Sequence, residues 1–253
     1  DGTVIGEQVQ VAAKAQQVFN NSLTTSLTGL WSEKLLEGFS TLLNGMDVAY
    51  ADITNTAEVN VEENGLLTAT ADAGNGDALK ISAMADVDCY VGTNSMGINA
   101  ASKLFGNNFD FIPSANVNCV NVNNKATVHI DGTLKTEKGS VDISSEATDK
   151  LSSIATTGVG GLVLTSGAVL NFAVNVVDDV NRANLSFGRQ STVDSAKNIT
   201  VVGNATNALK MTTELSTSNK AVAAFLVNYL ENKNETNVDV LGTLTSTHGG
   251  NVV

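Results

Sequence analysis

Residues 125–151 read KATVHIDGTLKTEKGSVDISSEATDKL. Val128 and Ile130 alternate with Thr127, His129 and Asp131. Past Gly132 and a lysine-rich turn, Val141 and Ile143 alternate with Ser140, Asp142 and Ser144. Apolar residues recurring at every second position, interrupted by a glycine-containing turn, predict strands that bury one face. The same pattern starts at Ala57-Glu-Val-Asn-Val61, turns at Asn64-Gly65, and continues through Leu66–Ala71 and Ala78–Ile81 toward residue 89.

The stretch is one copy among several. Gly167–Phe187 (GAVLNFAVNVVDDVNRANLSF) and Lys220–Val240 (KAVAAFLVNYLENKNETNVDV) align at a fixed offset of 53. Phe172 then meets Phe225, Asn175 meets Asn228, Asn181 meets Asn234, and Asn184 meets Asn237. Ile199-Thr-Val201 echoes Val141-Asp-Ile143, with Ala205-Thr206 following as Ala147-Thr148 does. Asn207–Met211 echoes Asp77–Ile81. Gly242–Val253 echoes Gly132–Val141 with one residue of slippage. Echoes at 57–81, 183–209 and 236–253 thus make the opening stretch one rung of a stack.

Stacked copies predict a solenoid, each turn burying its inward face against the next. The offset exceeds the usual repeat of about 20–45 residues, so two solenoid turns per copy are expected. The recurring asparagines are expected at turn corners, where Asn tolerates left-handed geometry and identical corners form ladders. The expected fold is all-β: a right-handed parallel β-helix (β-solenoid) with an N-terminal amphipathic helical segment and one inserted loop.

Composition agrees with a narrow sheet core. Apolar residues make up 42% of the chain but aromatics only 5%, and there is one proline. Small and β-branched residues suit closely spaced layers. A net charge of −12 with no basic stripe argues against a nucleic-acid partner. No apolar run reaches the length that spans a bilayer, so no membrane insertion is expected.

Two segments break the rhythm. From Ser22 to Met46, apolar residues recur in steps of three and four around Trp31, an amphipathic helix pattern. Residues 1–46 are therefore expected to be an N-terminal strand plus a helix packed on the solenoid, which occupies 47–253. Residues 90–114 hold the sole proline and are expected to be an insertion. Its aromatics Tyr90, Phe105, Phe109 and Phe111 have two readings, a binding loop or a flap buried on the flank. Cys89 and Cys119 sit in matched contexts, Ala85-Asp-Val-Asp-Cys89 and Ala115-Asn-Val-Asn-Cys119. Stacked equivalents would form a disulfide in an oxidising compartment or remain two reduced core cysteines.

The combination of AVLNFAVNVVDD (residues 168–179) with units such as ATVHIDGTLKTEKGSVDISS (126–145) resembles the filamentous haemagglutinin-type β-helix of large bacterial surface proteins and adhesins. The resemblance covers roughly residues 47–253, less the insertion. It implies an extracellular location on the bacterial cell surface and a stalk or adhesive role, with a host or neighbouring-cell receptor or glycan as partner. It supplies no catalytic residues. The unfinished last repeat and the start at Asp1 without a methionine suggest a segment whose parent chain continues into further repeats.

The chemistry legible in the residues is sparse. His129 is expected on an outward strand face and His248 in a turn, neither with partners at metal-ligand spacing. No catalytic residue, metal or cofactor is expected. Asp178-Asp179 follows a strand, and its copy reads Glu231-Asn232, which suggests a solvated corner rather than an acid pair at work. The expected function is a non-enzymatic structural and adhesive segment. The alternative is a polysaccharide-binding or polysaccharide-degrading β-helix enzyme.

Overall fold

The computed structural model describes residues 2–24, 46–72, 77–95, 111–159, 168–217 and 222–253. The chain advances in coils of three strands, one short and two long. The first coil is β1 (Thr3–Gly6), β2 (Val9–Thr24) and β3 (Met46–Val61). The second is β4 (Leu66–Ala69), β5 (Asp77–Ser95) and β6 (Phe111–Ile130). The third is β7 (Thr133–Thr136), β8 (Ser140–Val159) and β9 (Ala168–Phe187). The fourth is β10 (Thr192–Ser195), β11 (Ile199–Thr217) and β12 (Val222–Val240), after which β13 (Thr243–Ser246) begins a fifth.

Like strands stack in parallel into three sheets. The short strands form β1-β4-β7-β10-β13, and the long ones form β2-β5-β8-β11 and β3-β6-β9-β12. We call the long sheets B (from β2) and C (from β3). The all-β, parallel, repeating fold is therefore as the alternation predicts. The register confirms the offset of 53 residue for residue: Phe225 lies on Phe172, Asn228 on Asn175, Asn234 on Asn181 and Asn237 on Asn184. Ile199–Val201 lies on Val141–Ile143, and Ala205-Thr206 on Ala147-Thr148. Thr243–Ser246 lies on Thr192–Ser195, and Val252 bridges Ile199.

Three expectations about the repeat change. Each copy is one coil, not two, because the long strands run 16–20 residues and consume the whole offset. Asn207–Met211 stacks on Asp149–Ser153, whereas Leu79 stacks under Val141, so the echo with Asp77–Ile81 is out of register. Short alternating motifs repeat along one strand as readily as between strands. The repeating asparagines stand in mid-strand, not at corners.

Two boundaries also differ. β1 pairs with β4 and β2 pairs with β5 over its full length, so residues 3–24 are part of the first coil rather than a separate N-terminal unit. Residues 22–24 close β2 and Met46 opens β3; the rest of the expected helix, 25–45, lies outside the described residues. The expected insertion 90–114 is narrower, since 90–95 extend β5 and 111–114 open β6. Only 96–110 fall between the strands, outside the described residues.

The interior between sheets B and C has two apolar clusters. One, near the short sheet, includes Leu79, Ile81, Ile130, Leu134, Val141, Ile143, Leu185 and Phe187. The other, toward the far ends of the long strands, includes Ala51, Ile53, Val87, Cys89, Val120, Val122, Leu151 and Val177. Columns of alanine keep the sheets close: Ala85 pairs with Ala147 and Ala147 with Ala205 in B, and Ala57 with Ala126 and Ala126 with Ala183 in C. At the corner before β7, Gly132 is required by close approach. A Cβ there would meet the Gly65 carbonyl oxygen at 2.4 Å and that of Glu62 at 2.5 Å.

Between the two clusters runs a ladder of four asparagines, one per coil. The Asn55 amide donates to Asn124 Oδ1 (3.0 Å), Asn124 to Asn181 Oδ1 (3.2 Å), and Asn181 to Asn234 Oδ1 (3.2 Å). Each also reaches across the core to an alanine carbonyl of sheet B: Asn55 to Ala15 (3.3 Å), Asn124 to Ala85 (2.9 Å), Asn181 to Ala147 (3.1 Å) and Asn234 to Ala205 (2.9 Å). The amide therefore ties coil to coil and sheet to sheet. A second ladder runs Asn118–Asn175–Asn228, at 2.9 and 2.8 Å.

Truncating a buried amide leaves its partners unsatisfied, at about 1–3 kcal/mol. Asn181→Leu is expected to lower unfolding stability by about 2–3 kcal/mol in a denaturant titration, because Ala147 O and Asn234 Oδ1 both lose a donor. Asn184→Ala, on the outward face of the same strand, is expected to change it by less than about 0.5 kcal/mol.

Candidate functional site

Strand parity assigns every second residue of a sheet to the outside, and in sheet C those residues are not uniformly polar. Toward the start of the strands, three adjacent outward columns are apolar. They hold Phe172 on Phe225, Val48 through Val117 and Val174 to Val227, and Tyr50 through Cys119 and Val176 to Tyr229. Tyr50 is 61% exposed, Phe225 57% and Tyr229 55%. The Phe172 and Phe225 rings stack with centroids 5.4 Å apart and planes 11° from parallel.

The next outward column is acidic and amidic: Asp52, Asn121, Asp178 and Glu231. Asn121 donates to Asp52 Oδ1 at 3.0 Å. Asp52 pushes the Tyr50 phenol up from its ordinary value, mainly by charge repulsion of the phenolate. The Tyr229 hydroxyl donates to Glu231 Oε2 at 3.5 Å. The first and last coils thus each pair an exposed tyrosine with a carboxylate two residues on. Further along, Glu235 takes Arg182 Nε (2.7 Å) and Lys233 Nζ (2.8 Å), and these two bonds hold its carboxyl below the usual range. The whole face is an apolar stripe edged by acid and then by paired charge.

Near the short sheet lies a different cluster. His129 Nδ1 is 2.7 Å from Ser186 Oγ and its Nε2 is 2.9 Å from Asp131 Oδ2. His129 does face outward, as the alternation implies, and it is bonded on both ring nitrogens. The three side chains have the types of a nucleophile, base and orienter. Ser186, however, stands within β9, between β6 and β12, where both neighbours take up the backbone groups. That leaves no free pair of N–H groups beside it to stabilise an oxyanion.

Of the aromatics singled out in the sequence, two fall on described strands. Tyr90 is a half-buried outward residue of sheet B, between Asn20 and Ser152. Phe111 opens β6 in sheet C opposite Ala168. Phe105 and Phe109 lie outside the described residues. The cysteines are also separated. Cys89 faces the core from sheet B, Cys119 faces outward from sheet C, and both are free thiols. Their matched contexts have opposite parity, which no pattern of three or four residues reveals. Burial, with Asp88 and Asp149 nearby, pushes the Cys89 thiol up to about 11.

Asp178 and Asp179 split in the same way. Asp178 is exposed, and Asp179, expected at a solvated corner, is fully buried. The stripe is not legible in the sequence because Tyr50 and Val48 belong to the first coil, and connections of unequal length hide its register with the later coils. The columns emerge only when all four coils are superposed.

Among the described residues, no group of three or more His, Cys, Asp or Glu is placed to hold a metal ion. Among the same residues, no helix is long and apolar enough to cross a membrane. No family model, curated protein or solved structure matches the chain.

The placement of the thiols has a direct chemical readout. With a thiol reagent near pH 8, Cys119 is expected to react in the folded protein and Cys89 only on unfolding. A reductant is expected to leave both the mass and the thiol count unchanged.

Proposed function

We propose that this chain is a non-enzymatic structural and adhesive segment of a larger secreted or surface-anchored bacterial protein, acting as a stalk and attachment module. The observation that carries the reading is the outer face of sheet C. A stripe of valines, stacked phenylalanines and tyrosines, exposed on the first and fourth coils and half-buried on the two between, runs across the four coils on a scaffold held by internal ladders. Contiguous exposed apolar surface rimmed by polar residues marks contact sites. Aromatic faces with carboxylates and an amide beside them suit the C–H faces and hydroxyls of a glycan, or an apolar receptor surface. The acidic rim disfavours anionic partners.

A stalk also needs continuation. Inward residues of the fourth coil are open, with Leu230 at 45% exposure where Val177 beneath it is at 0%. This supports further coils of the parent chain above it. The right-handed sense of the helix follows the strong preference of parallel crossover connections, and the filamentous haemagglutinin-type kinship rests on the quoted motifs alone.

The second reading, an enzyme acting on polysaccharides, is favoured by the Ser186–His129–Asp131 contact. It is weakened by the position of Ser186 within the strand ladder.

Binding of the whole chain to a glycan array and to cultured cells tests the proposal against a Tyr50→Ala/Phe225→Ala/Tyr229→Ala variant. The variant is expected to keep its melting temperature and to lose binding by about tenfold or more, the loss of one or two contact anchors. Equal binding by both proteins would remove the stripe from the function. A fall in polysaccharide viscosity that Ser186→Ala abolishes would establish the enzymatic reading instead.

A further inference from the structure

Two inward columns face each other across the middle of the core. In sheet B the column is Gln17, Val87, Asp149 and Asn207; in sheet C it is Ile53, Val122, Asp179 and Asn232. The second coil fills this place with two valines and the fourth with two asparagines, joined by a 2.8 Å bond from Asn207 to Asn232. The third coil places two acids there, and both are at 0% exposure.

Each acid has one oxygen satisfied. Asn124 donates to Asp149 Oδ1 at 2.6 Å, and Asn207 donates to Asp179 Oδ2 at 2.7 Å. The other two oxygens, Asp149 Oδ2 and Asp179 Oδ1, are buried with no donor. Two ionised carboxylates in this position would set like charges together in a buried interior, an arrangement proteins avoid by neutralising one group.

We propose that Asp149 and Asp179 hold one proton between them inside the third coil, and that its loss as the pH rises loosens the solenoid there. Asp149 carries the proton and its O–H donates to the Asp179 carboxylate, giving the two orphan oxygens each other as partners. The electrostatics have the same direction. Burial, then Asp179, raises the Asp149 carboxyl to about 8, against the lowering effect of the Asn124 bond. Burial also raises Asp179, while the bond from Asp149 lowers it and Asp178 raises it.

The groups packed around the pair reinforce this. Asp86 on β5 and Asp178 on β9 are acidic and favour protonation. Asn124 on β6, Asn207 on β11 and Asn232 on β12 are neutral donors or acceptors. Lys150 on β8 is exposed on the opposite face of the strand from Asp149. An aspartate in the unfolded chain titrates near pH 3.9, so the retained proton favours the fold fully below about pH 4. As pH rises the unfolded chain releases its proton first. The stabilisation declines and is gone once the folded pair also deprotonates, near pH 8.

Thermal melting of the full chain from about pH 5 to pH 9 tests this, with Asp149→Asn/Asp179→Asn as the comparison. The double variant repeats the fourth coil's own solution. The wild type is expected to lose several degrees of melting temperature over that range, and the double variant to lose much less and to melt higher near pH 8. Infrared spectra of the wild type near pH 6 are expected to show the C=O stretch of one protonated carboxylic acid, bleached as the pH passes 8 and absent from the double variant. That measurement on the wild type stands even if the variant fails to fold. The proposal is overturned if the wild type shows no such band near pH 6, or if both proteins share one pH slope. It is also overturned if calcium raises the wild-type melting temperature near pH 8 and a chelator reverses it, which would place a cation between the acids.

Discussion

The solenoid depends on asparagine amides that reach across its interior. A stack of parallel strands satisfies its backbone within each sheet, but nothing in that arrangement holds two facing sheets in register along the axis. Apolar contact alone is non-directional. The Asn55–Asn124–Asn181–Asn234 ladder supplies the direction. Each amide bonds an alanine carbonyl on the opposite sheet, and the first three also bond the asparagine of the next coil, so slippage in either sense costs hydrogen bonds. Asn124 shows how crowded this layer is. Its Nδ2 lies within bonding distance of Ala85 O, Thr148 O, Asp149 Oδ1 and Asn181 Oδ1, with two hydrogens to share among them.

An amide is short, and the rest of the core follows from its length. The sheets must stand close enough for Asn181 to touch Ala147 O, which leaves room for alanine and valine but little else in the middle layers. The large buried side chains, Phe187 among them, collect near the short sheet, where the third face widens the interior. This is why so few aromatics occur in a chain of 253 residues. It is also why Phe172, Phe225, Tyr50 and Tyr229 sit on the outside. The constraint that excludes them from the core makes them available for contact.

Much of the architecture was legible because strand alternation is local. Val128, Ile130, Val141 and Ile143 announce their faces within a few residues, and the offset of 53 carries one coil onto the next without loss. Where the connections change length, the reading fails. The ladder spacing is 69 residues between Asn55 and Asn124 and 57 between Asn124 and Asn181, so no single offset finds all four rungs. Asn175 and Asn181 look like corner residues because asparagine favours turns, and only their parity places them inward. Cys89 and Cys119 fail for the same reason: matched neighbours do not imply matched faces. Asp178 and Asp179 are adjacent, so one of them had to point into the core.

Parity therefore does more than sort polar from apolar. With a buried amide row setting which positions are inside, every outward column is a vertical strip of four side chains at the spacing of stacked strands, about 4.8 Å. A change at one position alters one rung of one strip and leaves the core columns untouched. Sheet C uses this freedom in both directions. Its outer face varies from Phe225 to Glu231 to Glu235 within eleven residues, grading from apolar to acidic to ion-paired. Its inner face tolerates Val122, Asp179 and Asn232 at one position, because the neighbouring row of asparagines holds the coil whatever fills the adjacent place. The ladder separates the two tasks, since register is secured inside and the outer columns are left free to vary.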